Sequence, residues 1–468
     1  MSTTSTEKDP HYLAAESGGT AVTPEEAMAG RDVTLLDISD PQFMANAYDT
    51  YNELRNKERL SVVRFSAGNP EANKAAEEKK QRNPREEFLN RESFFVTHYE
   101  DVVSTLLDDR YVVDPRSLMT PEQRAAAEAE APEEFRPLSR SLLSIDPPDH
   151  TRIRKLVQPS FTGRGMEAMR PAIQEVADAL LDRAEAEAAA RGETPGNRQM
   201  ELIRAFAYPF PVAVISNMMG IPQEDRDKIR GWTENLLRVD RGRDEAMNEQ
   251  VRQGLRDFTA YLRDLFERKR AQPGDDMISR MVVATEDGDV LTEEEMLATV
   301  FLMYLAGHVT TVNLVGSGVV ATLSHPEQEK LLRADLSLSK NLVEETLRFW
   351  GPVDFIGRRF ATEHVDLEGH GIPRGSQVAV SLGAANRDPE RFANPDVFDI
   401  TRADANRHVA FGRGIHVCLG APLARVEGQV AFETLFRRYP DLRLAVPVDE
   451  ITWGNNFLRG FRQIPVLF

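Results

Sequence analysis

Cysteine is the scarcest residue in this 468-residue chain: there is one, Cys418. A single thiol excludes an intramolecular disulfide, which suits a reducing compartment, and it excludes a four-sulfur zinc site or an iron–sulfur cluster. Net positive charge is missing as well. The formal net charge is −18 at neutral pH, so the bulk surface repels nucleic acid and anionic membrane alike. From Met1 to Gly30 the chain is polar and rich in Ala, Thr, Glu and Gly, without an apolar run of signal-peptide or anchor length. These absences lead to the expectation of a cytoplasmic protein with no nucleic-acid or membrane partner. No flavin fingerprint is found either.

What remains, 41% hydrophobic and 28% charged residues, is the balance of a folded chain with a sizeable core. Residues 1–40 read as a flexible N-terminal segment and 41–468 as one domain. Residues 66–92, with the run Ala75-Ala76-Glu77-Glu78-Lys79-Lys80, read as a charged, solvated insertion. Phe94 to Thr97 predicts a strand and Tyr99 onward a helix. From Glu167 to about Leu302 apolar residues recur at three and four, as in Ile173, Val176, Ala177, Leu180 and Leu181, with breakers at Gly192–Gly196, Gly220-Ile221-Pro222 and Pro273-Gly274. After Gly351 short alternating segments predict strands and turns. The expected fold is mainly α with a small β region.

The lone sulfur has unusual neighbours: Phe411-Gly412-Arg413-Gly414-Ile415-His416-Val417-Cys418-Leu419-Gly420. Glycines on both sides leave room for a flat, bulky group and permit backbone angles that other residues resist. Pro422, followed by Leu423, Val426 and Val430, predicts a helix beginning just past the cysteine. Its free N–H groups would point at the sulfur and favour the thiolate, the form that binds metals. One thiolate is enough for the axial position of a haem iron.

Phe-Gly-x-Gly-x-His-x-Cys-x-Gly resembles the haem-binding loop of the cytochrome P450 family, and the resemblance extends over roughly residues 95 to 468. It implies the P450 fold, with haem b between a long distal helix and the Cys418 loop, and with Phe411, Gly412 and Gly420 against the cofactor. Ala306-Gly307-His308-Val309-Thr310-Thr311 resembles the family's oxygen-binding segment, with the helix starting at a capping box, Thr292 to Glu295. Small Ala306 and Gly307 would leave room above the iron, and Thr310 would hold a proton-delivering water; alternatively its hydroxyl simply bonds back to the helix. The family's acid is replaced by Val309, which cannot carry a proton. His308 reads as structural.

Glu345 and Arg348 stand one helical turn apart, and with Arg402 they resemble the family's buried scaffold network. By the same resemblance His150, Arg154, Arg359 and His416 would serve the haem propionates. Arg152, Lys155, Arg164 and Arg413 would form a basic patch for an acidic ferredoxin or flavodoxin, supplied by its reductase. Leu302, Leu305, Phe355, Ile356 and Phe457 would line an apolar substrate site, suggesting a lipophilic small molecule; Asn455 and Asn456 read as turn formers. The implied activity is monooxygenation, hydroxylation or epoxidation, by a monomer. Val309 keeps open oxidative coupling, dehydrogenation or peroxide use, and a haem-based sensor would need no proton relay at all.

Overall fold

The computed structural model describes residues 22–38, 40–66, 91–130, 133–135, 140–226, 228–229, 231–232, 245–283, 285–286, 289–454 and 458–468. Helices dominate, and the main sheet has six strands in the order Val33–Asp37, Leu60–Ser66, Glu92–Val96, Gln377–Ser381, Phe355–Ala361, Tyr111–Val112. Its centre is apolar: Phe94, Phe95, Val96, Val378, Ala379 and Val380 are all buried, as expected for strands covered on both faces.

The first strand corrects one boundary. Val33–Asp37 pairs in parallel with Leu60–Ser66, Leu36 is fully buried, and Pro24–Met28 is a helix closed by a capping box between Thr23 and Glu26. The described part of the first forty residues is therefore held by the sheet and is not free chain, because alternating Leu36 and Ile38 give it an apolar face to bury. Of the expected insertion, residues 67–90 lie outside the described residues.

Two long helices position everything that follows. Glu293–Gly307 continues, after an interruption at His308, as Val309–Leu323. The expected capping box is present, and Met296 through Phe301 are buried on every side, the pattern of a helix through the core. Glu293–Leu323 is long and apolar enough to cross a bilayer, yet more than half of its most apolar 18-residue window is buried inside the protein. At His308 the ring Nδ1 engages the Tyr304 carbonyl, the acceptor that a continuous helix offers to the backbone N–H four residues on.

The second helix, Ala421–Arg438, begins where Pro422 predicted. It packs on Val309–Leu323, on Ser339–Trp350 and on Arg170–Ala190. Close approach needs missing side chains. A Cβ at Gly318 would lie 2.2 Å from the Phe432 ring, and one at Gly428 would lie 2.8 Å from Val343.

Candidate active site

The cysteine loop is built from its backbone. Gly412 and Gly414 have φ of +69° and +73°, a region costly for L residues, and a Cβ at Gly414 would stand 2.5 Å from the Leu106 carbonyl. Gly420 has ordinary angles, φ −80° and ψ 0°, so its role is space rather than conformation. The Cys418 N–H donates to the Phe411 carbonyl at 2.9 Å, closing the loop, and the N–H groups of Gly420 and Ala421 aim at the sulfur.

Burial pushes the Cys418 thiol above its usual pKa; those two amides, Arg154 and Arg425 act in the opposite direction. The expected depressed thiol therefore needs correcting: with protein on most sides, desolvation of the anion outweighs the donors. A bound metal ion reverses the balance, since coordination itself deprotonates a thiol. The side chain is nonetheless exposed. The sulfur thus has protein on most sides and is still accessible. Ala306 is likewise exposed, near the end of the helix Glu293–Gly307, between half-buried Leu305 and Gly307.

Around the loop stand polar groups with nothing to bind. His150 is 1% exposed, and among the described residues neither of its ring nitrogens has a hydrogen-bond partner, nor has Nε2 of His416. Burial depresses His150 to about 4 and His416 to about 3, so both rings are neutral near pH 7. Arg359 is 5% exposed and donates to its neighbour Arg358's carbonyl at 2.9 Å. Burial lowers it to about 10, with Asp146 opposing weakly from a distance. A buried guanidinium with no carboxylate on it among the described residues, beside imidazole nitrogens without partners, fits an incoming group that carries acidic oxygens. Arg154 differs: it donates to the Val417 carbonyl at 2.8 Å, so it braces the loop.

The expected scaffold network is fully assembled. Arg348 grips Glu345 with two N–H groups, at 2.7 and 2.8 Å, both side chains being fully buried. It also donates to the carbonyls of Asn386, Pro395 and Val397. Arg402 reaches Glu345 at 3.3 Å and caps the carbonyls of Ala393, Asn394 and Val397.

Other expectations are redistributed. Thr310 donates to the Ala306 carbonyl at 2.7 Å, the back-bonded alternative. Gly307 does not open the distal space: a Cβ there would meet Ile215 Cδ1 at 2.4 Å, so Gly307 is small to receive Ile215 and Ala306 alone faces outward. Leu302 and Leu305 are half-buried on the same helix. Phe355 is 3% exposed and stacks on Phe65 at 4.4 Å; strand alternation turns it into the sheet core. Its neighbour Ile356 points the other way, 3.8 Å from the Cβ position of Gly412. Asn455, Asn456 and Phe457 lie outside the described residues. In the basic patch, Arg152 pairs with Glu295, and with Lys155 it lines an open surface cleft of about 390 Å³ beside Pro147 and Pro148.

Sequence reasoning missed a second proximal network. Glu344 is bound by Arg425 at 2.6 Å and by His408 Nε2 at 3.1 Å. The Ala410 N–H donates to His408 Nδ1 at 3.0 Å, which leaves the proton on Nε2, pointing at Glu344. Burial alone would raise the Glu344 carboxyl, but the bonds from His408 and Arg425 hold it at about 2. Arg425 also lies over the Phe411 ring, 4.7 Å from its centroid. The adjacency of Glu344 to Glu345 was the one available signal.

The model of the cytochrome P450 family matches residues 78–444. The chain belongs to the cytochrome P450 family. It is 39% identical to the cytochrome P450 monooxygenase PikC of Streptomyces venezuelae, across 95% of this chain and 96% of that protein. It is 35% identical to the 6-deoxyerythronolide B hydroxylase of Saccharopolyspora erythraea, across 92% and 98%. The solved structure of the bacillaene polyketide synthase P450 PksS of Bacillus subtilis superposes with a TM-score of 0.76 at 35% identity, covering 92% of this chain and 98% of that one. The P450 fold expected from the cysteine loop is thereby established, as is an oxidoreductase of the monooxygenase type.

Proposed function

We propose that this P450 inserts one oxygen atom into a lipophilic, polyketide-like small molecule, by hydroxylation or epoxidation, using electrons from a separate ferredoxin or flavodoxin and its reductase. The observation that carries the cofactor assignment is the pairing of an accessible Cys418, with two amides aimed at it, and donors with bonding capacity to spare among the described residues: Arg359, both ring nitrogens of His150 and Nε2 of His416. Haem b bound there would supply the one-electron and dioxygen chemistry of a thiolate-ligated iron.

Each neighbouring residue then has a task. Cys418 would hold the iron through its thiolate, and the Gly420 and Ala421 amides would moderate that sulfur's basicity by hydrogen bonding. Arg359 would supply the positive charge and the two neutral imidazoles hydrogen bonds to the propionates. Ala306 leaves the distal face open, and Thr310, whose hydroxyl proton is given to the Ala306 carbonyl, can only accept a bond from water there through its oxygen lone pairs. Leu302 and Leu305 keep that face apolar, which excludes bulk water and favours a hydrocarbon-rich substrate. Relatives named for polyketide biosynthesis and for 6-deoxyerythronolide B hydroxylation support this substrate class. We place the protein in the cytoplasm as a monomer.

The reduced protein with carbon monoxide is expected to give the absorption of thiolate-ligated haem, and Cys418→Ser to lose it while staying folded. A colourless wild-type protein, or thiolate-type absorption surviving in the serine variant, overturns the assignment. A spin-state screen of macrolactones against fatty acids then tests the substrate class. Val309 favours one rival, oxidation driven by peroxide, which would turn over without any redox partner.

A further inference from the structure

Arg358 is a charged side chain with its donors unspent, one residue from the cluster that awaits the propionates. It lies on the strand Phe355–Ala361 and is exposed, whereas Gly357, Arg359 and Phe360 around it are buried. Among the described residues its guanidinium donates no hydrogen bond. Burial lowers its pKa from the ordinary value, opposed by Asp114, reinforced by Arg116 and opposed again by Asp146. The group stays a cation at neutral pH all the same.

The two carboxylates that act on it already have other donors. Asp114 is gripped by Nε of Arg116 at 2.9 and 3.0 Å. Asp146 accepts the Val113 and Asp114 N–H groups at 2.9 and 3.0 Å, and the Ser117 hydroxyl at 3.0 Å. An accessible cation beside carboxylates so occupied has room for an anion from outside.

A break in the sheet decides on which side that anion would sit. On the neighbouring strand Val378 pairs with Arg359 and Val380 with Ile356, so Gly357 and Arg358 together stand opposite the single residue Ala379. This is a bulge. Side chains alternate along a strand, so Arg359 and Ile356 share a face with Val378 and Val380, while Ala379 looks to the other. The cores agree, since Val378 and Val380 pack with Ile356 and Ala379 packs with Phe355 and Phe65. Arg359 and Ile356 are thereby directed to the side of His416 and Gly412. Arg358, opposite Ala379, is turned from the group that Arg359 answers.

We infer that Arg358 is a substrate-binding residue that takes a carboxylate carried by the substrate, so that the protein acts on amphiphilic acids in preference to neutral molecules of the same frame; this rests on the monooxygenase reading above and narrows it. A guanidinium presents two parallel N–H groups that match the two oxygens of one carboxylate. The hydrocarbon remainder would rest on the apolar face of Leu302 and Leu305.

The test uses ferric, haem-loaded protein and matched probes: hexadecanoic acid with its methyl ester, and the hydroxy acid of an opened macrolactone with its methyl ester. Equilibrium titrations of wild type, read by haem spin state or by dialysis, should show each acid binding roughly tenfold more tightly than its ester. Arg358→Gln should erase that preference by weakening the acids and leaving the esters unchanged. Arg358→Lys, which keeps the charge without the flat fork, should recover part of it. Transfer of haem from R358Q to apomyoglobin should run at the wild-type rate. Equal affinity for acid and ester in wild type, an acid preference that survives in R358Q, or a wild type that binds neither acid overturns the inference. So does an R358Q protein that sheds haem as fast as Arg359→Met, which would make Arg358 a propionate donor. The titrations need neither electrons nor dioxygen, so a wild type that shows the preference but oxidises neither acid with ferredoxin and its reductase overturns the monooxygenase reading alone.

Discussion

His150 and His416 face each other across the cysteine loop with ring centroids 4.3 Å apart and planes tilted by 52°. Neither nitrogen of the first nor Nε2 of the second has a hydrogen-bond partner among the described residues, and Arg359 is buried near them without a carboxylate of its own. Such a cluster costs stability until an anionic group arrives. Arg359→Met is therefore expected to stabilise the haem-free protein by about 1–2 kcal/mol and to lose bound haem roughly tenfold faster. Thermal melts with and without haem, and transfer of haem to apomyoglobin, check the two signs. A parallel loss of stability in both forms would show Arg359 to be structural.

The pair Glu345–Arg348 behaves in the opposite way, because both partners are present and fully buried. Removing one strands the other. Arg348→Met should cost about 3–5 kcal/mol and three carbonyl bonds besides, and should give protein with little haem. Denaturant unfolding measures it, and a loss below about 1 kcal/mol would mean that the network relaxes.

Glu344 predicts the acid limb of stability. Its carboxyl is held at about 2 in the folded protein, against an ordinary value of 4.5. A depressed acid stabilises the fold fully above the unfolded value and loses that contribution as pH falls toward the folded one, here between about 4.5 and 2. The amount is on the order of 3 kcal/mol. Glu344→Gln should therefore be less stable at neutral pH and show a flatter decline over that window. Equal slopes in wild type and variant would argue against the Arg425 and His408 bonds as the cause.

Gly307→Ala tests which neighbour needs the missing side chain. A Cβ would meet the tip of Ile215 at 2.4 Å, so the variant should lose about 1–3 kcal/mol. Ile215→Val should recover part of that loss. If instead haem binding fails and Ile215→Val does not help, Gly307 serves the distal opening after all.

What could be read from sequence was local. Cys418 and its glycines, Pro422 at the helix start, and Glu345 with Arg348 one turn away are all close along the chain, so spacing alone exposes them. Val309 in place of an acid was equally visible. The contact between Glu427 and Thr311 was not, because Val426-Glu427-Gly428 carries no mark of which face meets a helix more than a hundred residues earlier. The same holds for Arg459, fully buried on Asp354 at 2.8 Å, and for Ile215 under Gly307. The burial of Phe355 on Phe65 was not legible either, because alternation along a strand fixes opposite faces without saying which of them meets the sheet core.

The strand Val33–Asp37 carries a practical lesson for handling the protein. Trimming the chain to residue 41 would unzip Leu60–Ser66 along one side and bare a fresh edge of hydrogen-bonding groups, the kind that recruits other copies into aggregates. Affinity tags and shortened versions belong upstream of Thr23, where the capped first helix already seals the fold.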